Sequence, residues 1–306
     1  MTTNRMNRRA FLTSSVLAGS ALTFFPAPGI CSVKSPSEKL SIACVGIKHR
    51  GGANVAGVKD ENIVALCDID DLYLEEVGAK FPNAKRFFDF REMLSAMGDK
   101  LDGVTVSTAD HTHAPVALAV MKRGLNCYCE KPLGHTMEEV RKMVAIAKEK
   151  RLVTQIGTQI HATENYRRVV EYLRAGAIGT VTSACVWTSA GPAGIVPPTD
   201  KVPCPKNLHW DQWIGPAPYR PYHPCYLPGI WRRWWDFGSG RYGDMACHLT
   251  DLVFWAMDIR TPISAETKGP TDVHPTAAPP TLDIDYLFKR EDRKSPGFYT
   301  PEAFPA

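Results

Sequence analysis

Leu125-Asn126-Cys127-Tyr128-Cys129-Glu130-Lys131-Pro132 is a short apolar run that stops on an acid, a lysine and a proline, and its place in the chain decides the fold. β-rich runs at 40–46, 63–67, 103–107, 125–129 and 153–157 alternate with amphipathic stretches at 71–81, 113–123 and 137–150, with 85–88 as a further short strand. That alternation predicts an α/β fold, a doubly wound parallel sheet. Ligands of open α/β sheets bind at the carboxyl edge of the strands, so the fifth strand would deliver the Lys131 ammonium beside a cofactor. A surface lysine followed by a turn proline has the same local spelling. Position in the series is what makes Lys131 a candidate catalytic residue.

The first strand runs into Gly46-Ile47-Lys48-His49-Arg50-Gly51-Gly52. A tight glycine corner at this turn lets backbone amides and a helix start face a pyrophosphate. The G-x-G-x-x-G pattern is incomplete, because Lys48 takes the place of the middle glycine, where a side chain obstructs close approach of backbone to phosphate. Lys48 or Arg50 would compensate by pairing with phosphate; an ordinary βα turn is the alternative. Asp68 follows Gly46 by 22 residues and ends the second apolar run. A carboxylate there accepts from adenosine ribose hydroxyls and repels a 2′-phosphate, which favours NAD over NADP. Helix capping is the competing duty for Asp68, with Asp70 as a rival for it.

Asp110-His111-Thr112-His113 closes the fourth strand and opens a helix, so His113 is expected to line the nicotinamide side of the cleft. A His-x-His metal site is the other reading, but it lacks a third ligand at a supporting spacing, and no metal is expected. Beyond residue 160 the rhythm changes: a helix is expected over 163–175, a strand over 181–189, and a Pro- and Trp-rich arm over 191–228 in which Trp210 and Trp213 pack. Asp244, His248, Asp251 and Trp255 then recur at helical spacing and are expected on one helix face. Arg232, Arg233, Trp234 and Trp235 suit either a sugar pocket or plain packing.

Three stretches together carry a resemblance: Val106-Ser107-Thr108-Ala109-Asp110-His111-Thr112-His113, Tyr128-Cys129-Glu130-Lys131-Pro132-Leu133 and Gly243-Asp244-Met245-Ala246-Cys247-His248. From residue 40 to 257 the chain resembles the Gfo/Idh/MocA family of oxidoreductases. The resemblance implies a Rossmann domain followed by an open-sheet α/β domain with substrate between them, Lys131 as the family lysine in a cis Lys-Pro peptide, and Asp244 with His248 as the family helix pair. Ser107 and Glu130, which stand in two of the motifs, join Gly46, Lys48, Arg50, Gly51, Asp68, His113 and Lys131 as expected cofactor contacts. The chemistry is coherent, since oxidising a secondary alcohol needs a base for the hydroxyl proton, and a histidine suits that task. Asp244 would orient His248 or bind a substrate hydroxyl, and Lys131 would steady alkoxide charge. A sugar or polyol is the implied substrate class; an NAD-dependent glycosidase and a catalytically impaired remnant are the alternatives.

The formal charge of +4 includes Arg5, Arg8 and Arg9 in the first 27 residues, and removing that acid-free stretch leaves +1. A basic nucleic-acid-binding surface is thereby disfavoured. Arg8-Arg9 followed by an uncharged stretch to Phe25 resembles a twin-arginine leader over 1–30, which implies the twin-arginine export machinery as a partner and a periplasmic or extracellular protein. The nine cysteines are odd in number, scattered and without a Cys-x-x-Cys pair, so a disulfide framework is not indicated. The domains expected are a Rossmann unit over 38–160 and a substrate domain over 161–306. Only 49 residues follow Met257 and eight of them are prolines, so the second domain is expected to be truncated. An open sheet face of this kind suits a homo-oligomer.

Overall fold

The computed structural model describes residues 38–189 and 196–289. The expected leader lies outside these residues, as does most of the charged run at 289–294. Strands β1 (Ser41–Val45), β2 (Asn62–Cys67), β3 (Lys85–Phe87), β4 (Gly103–Val106), β5 (Asn126–Cys129) and β6 (Thr154–Ile156) form one sheet. Its order is β3-β2-β1-β4-β5-β6 and every pairing is parallel. The chain therefore reverses direction of winding between β1 and β4, and a crevice opens there at the carboxyl edge.

Helices α1 (Arg50–Gly57), α2 (Asp71–Gly78), α3 (Phe90–Met97), α4 (Asp110–Lys122) and α5 (Met137–Lys150) cover both faces. A parallel sheet buried on two sides needs apolar residues in both phases of its strands. In β1, Ala43 and Val45 join the larger core under α3, α4 and α5, whereas Ile42 and Cys44 join the smaller one under α1 and α2. The helices start where the chain supplies caps. Asp70 accepts from the Leu72 N–H at 2.9 Å, so it, and not Asp68, caps α2. Thr136 and Glu139 form a reciprocal capping box on α5.

After a 3₁₀ turn at Gln159–Ala162 come α6 (Glu164–Arg174), α7 (Trp210–Ile214), a 3₁₀ turn at Ile230–Arg233, α8 (Gly240–Leu249), α9 (Asp251–Met257) and the antiparallel pair β7 (Ser264–Lys268) with β8 (Asp283–Leu287). The Trp-rich arm folds back on the sheet edge. Trp210 and Trp213 stack with ring centroids 4.7 Å apart, and with Tyr226, Trp231, Trp234 and Phe237 they build a third core against Ala109. Among the described residues the expected strand over 181–189 forms no ladder, and β7 and β8 pair with each other. The single helix face expected for Asp244 to Trp255 is also corrected. Thr250 separates α8 from α9, and Asp251 and Trp255 turn to His161, the carboxylate at 2.7 Å and the indole stacked at 4.1 Å. The eight described cysteines are free thiols.

Candidate active site

The first βα turn is built by two glycines that have no room for a side chain. Gly46 has φ +76°, and a Cβ there would lie 2.4 Å from the Ser107 carbonyl oxygen; one on Gly51 would lie 2.0 Å from the carbonyl oxygen of Gly46. The start of α1 carries no side-chain cap, so its amides and dipole face the crevice as an anion-binding surface. Asp68 holds this corner from the end of β2. One carboxylate oxygen accepts from the Ile47 N–H at 2.9 Å and the other from the Asp70 N–H at 3.2 Å. Burial outweighs these donors and pushes the acid up to about 6. A carboxylate offers about four acceptor positions, so two engaged amides leave capacity for ribose hydroxyls.

The two basic residues expected to meet phosphate are already engaged. Lys48 leans away from the corner to Glu76 at 2.5 Å, which removes the obstruction a side chain at the middle-glycine position would impose. Arg50 pairs with Glu130 at 2.8 Å. The same Glu130 oxygen accepts from Asn54 at 2.9 Å and from Tyr128 at 3.2 Å, and Asn54 also donates to the Ser107 hydroxyl at 2.8 Å. Burial raises the Glu130 carboxyl, but the Asn54 and Arg50 donors prevail and hold it below its ordinary range. Asn54 was not foreseen from the sequence; its spacing of four from Arg50 places both on one face of α1, which was the available signal.

His113 is placed differently from expectation. The residue is 1% exposed, and its ring nitrogens lie 2.7 Å from the Pro132 carbonyl and 3.0 Å from the Thr108 carbonyl, to one of which the single N–H of the neutral ring donates. It is a clamp beneath the cis Lys131–Pro132 peptide, because helix α4 aims position 113 inward and not toward the cleft. His111 likewise faces the carbonyls of Trp213 and Phe237, so neither ring of the His-x-His run is turned to a common ligand. Among the described residues no three His, Cys, Asp or Glu gather in a metal-binding arrangement.

Beyond Glu130 the chain delivers Lys131 to α8. Its ammonium donates to Asp244 twice, to the backbone oxygen at 2.6 Å and to Oδ1 at 2.7 Å. Arg232 donates to the same Oδ1 at 3.0 Å. Burial raises the Asp244 carboxyl, yet Lys131 and Arg232 bring it below the usual carboxylate range. Asp244 is thus committed to the two cations and does not orient His248, one turn along α8. The His248 ring is 5% exposed, and its Nδ1 has no hydrogen-bond partner. Burial first, then the charge on Lys131, hold the imidazole below its ordinary value. Of the Arg232 to Trp235 group, Arg232 belongs to this cluster, Trp234 to the core and Trp235 to the surface.

A parallel sheet of this order, a glycine corner without a cap and a lysine at the end of β5 define a Rossmann-type dinucleotide-binding protein with an α/β domain after it. Residues 40–158 match the family model described as the NAD-binding Rossmann fold of an oxidoreductase family, and residues 194–291 match that family's C-terminal α/β domain. The chain belongs to the Gfo/Idh/MocA oxidoreductase family. It is 26% identical over 158 residues to the rhizopine catabolism protein MocA of Rhizobium meliloti, covering 51% of this chain and 49% of that one. It is 31% identical over 174 residues to levoglucosan dehydrogenase of Pseudarthrobacter phenanthrenivorans, covering 55% of this chain and 37% of that one. The chain therefore spans about half or less of the length of these curated relatives. The WlbA dehydrogenase of Chromobacterium violaceum, solved with NADH and UDP-GlcNAcA, shares the fold at TM-score 0.57 and 18% identity, over 82% of this chain and 64% of that chain.

The corner gives a direct expectation. Gly51→Ala drives a methyl group into the Gly46 carbonyl, a displacement costing about 1–3 kcal/mol or more of overpacking, and weakens NAD binding at least about tenfold with the far-ultraviolet circular dichroism kept. Calorimetric titration with NAD checks this, and an unchanged affinity contradicts the assignment of the corner.

Proposed function

We propose that this protein oxidises a secondary hydroxyl of a sugar or polyol, with NAD held at the glycine corner. One observation carries the reading: the Lys131 ammonium at the sheet edge donates to Asp244, one turn before the buried His248 on α8. The corner fits the cofactor because its helix start is uncapped and both glycine positions exclude a Cβ. Gly46, Gly51 and the start of α1 would hold the pyrophosphate, Asp68 the adenosine ribose, and Ser107, Glu130 and Lys131 the nicotinamide half. Lys48 and Arg50 are each paired with a glutamate of their own, Glu76 and Glu130. When bound, NAD supplies the acceptor for a C–H hydride.

The chain itself must deal with the hydroxyl proton. His248, neutral at pH 7 because its pKa is lowered, has a free ring nitrogen to accept that proton. The Lys131 ammonium, held in place by Asp244, would donate to the oxygen as negative charge builds on it. Asp244 positions the ammonium, and Arg232 keeps the Asp244 carboxylate ionised. The curated levoglucosan dehydrogenase among the relatives supports the carbohydrate class.

We also propose export by the twin-arginine route, on Arg8-Arg9 and the uncharged stretch after them. A folded protein would then carry NAD out with it. Fractionation of cells should find the protein outside the cytoplasm, and retention of Arg8→Lys/Arg9→Lys protein inside; equal distribution of the two contradicts the route.

His248→Ala is expected to lower kcat by about 10²–10⁴-fold on a responsive polyol while NAD affinity stays within about twofold. A panel of polyols and sugars, followed at the absorbance of reduced nicotinamide, finds the substrate for the comparison. Equal turnover of the two proteins removes His248 from the mechanism.

A further inference from the structure

Arg232 donates to Asp244 through Nε, at 3.0 Å, which leaves the outer edge of its guanidinium nearly idle. Nη1 reaches the Gly229 carbonyl only at 3.4 Å, and Nη2 has no partner among the described residues. The group lies over the Trp231 ring, 4.2 Å from its centroid, and the side chain is 37% exposed. A guanidinium tied at Nε and stacked on an indole keeps a fixed plane. Its two Nη groups then form a fork that fits both oxygens of one carboxylate.

Charge points the same way. Lys131, Arg232 and Arg241 approach the Asp244 carboxylate at 2.7, 3.0 and 3.9 Å, and no other acid among the described residues pairs with any of the three. Glu130 is taken by Arg50 and Asp236 by Arg220. Buried Asp110, counted as an ionised neighbour, still leaves the three cations with one positive charge in excess. Arg241 otherwise meets hydroxyls, Ser189 at 3.1 Å and Thr188 at 3.4 Å, and its Nε has no partner. A partly buried surplus of positive charge favours an anion.

The fork also stands where a substrate would be. Lys131 and Arg232 meet on one oxygen, Oδ1 of Asp244, so a single small molecule can reach both. Two bonds to Asp244 leave one N–H of the ammonium for a hydroxyl.

We propose that Arg232 is a specificity-determining residue that binds a carboxylate of the substrate, so that the polyol oxidised is a sugar acid, aldonic or uronic. This rests on the reading that places the reacting hydroxyl at Lys131. The acid group takes no part in bond making: the carbinol gives its hydride to NAD and its proton to His248, and the carboxylate stays a carboxylate.

The test is initial-rate kinetics of the full chain with NAD on matched pairs, glucose with glucuronate, galactose with galacturonate and sorbitol with gluconate, and on glucose 6-phosphate as an anion of another kind. The native protein is expected to favour the acid of a pair by about 10–100-fold in kcat/KM, mostly through KM, and Arg232→Gln to bring that ratio to about threefold or less. A loss common to both members, from an Asp244 held less firmly, leaves the ratio untouched. Arg232→Lys, which keeps the charge without the fork, is expected to fall between the two. A native protein without preference for the acids overturns the proposal whether or not the variants fold. So does a preference for the phosphate over the acids, or one that survives Arg232→Gln. Calorimetric titration of the NAD-loaded protein with the same compounds separates this proposal from the activity beneath it. Selective binding of the acids without turnover contradicts the oxidation and leaves the carboxylate subsite standing, whereas turnover of neutral polyols without acid preference does the reverse. Acids that neither bind nor react overturn the subsite.

Discussion

The ion pair between Lys131 and Asp244 joins the carboxyl edge of the sheet to helix α8, and the whole site depends on it. Both side chains are largely buried, at 11% and 17% exposure. Removing two charges from water costs several kcal/mol apiece, and attraction across the gap recovers this only when further hydrogen bonds complete both groups. Here the ammonium also takes the Asp244 backbone oxygen, and the carboxylate also takes Arg232. Such a pair contributes little net stability compared with an apolar packing of the same volume. Its effect is on position, since it fixes an ammonium one helical turn from an unpartnered imidazole.

Adjacent residues divide the work at the end of β5. Glu130 turns to α1 and gathers Arg50, Asn54 and Tyr128, whereas Lys131 turns to α8. Both residues lie just past Cys129, the last residue of β5, where the chain leaves the strand for the cis Lys131–Pro132 peptide. One strand end thus tethers the nucleotide corner and the proposed catalytic cluster together. Gly157, at the end of β6, makes the arrangement feasible: a Cβ there would lie 2.5 Å from the Glu130 carboxylate.

The parallel sheet was legible because β-rich runs and amphipathic stretches alternate with regular spacing, and the six observed strands fall within or beside those runs. Lys131 was legible for the same reason, being placed by topology. What could not be read were contacts set by tertiary packing. His113 has the spelling of a cleft residue, but the pitch of α4 carries it under Pro132. Asp244 and His248 share a helix face, yet proximity along a helix does not decide which partner wins, and two cations outcompete a neutral ring. The segment 181–189 has strand composition but pairs with no strand among the described residues, which no local pattern reveals. Lys48 has the spelling of an obstruction, and only the position of Glu76 on α2 shows why it is not one.

A crystal structure of the protein with NAD and a turned-over polyol bears most directly on the central claim. The reacting hydroxyl is expected within about 2.6–3.2 Å of both the Lys131 ammonium and a His248 ring nitrogen, with the carbinol carbon facing the nicotinamide. A hydroxyl bound away from either nitrogen, or a nucleotide seated off the Gly46–Gly51 corner, would contradict it.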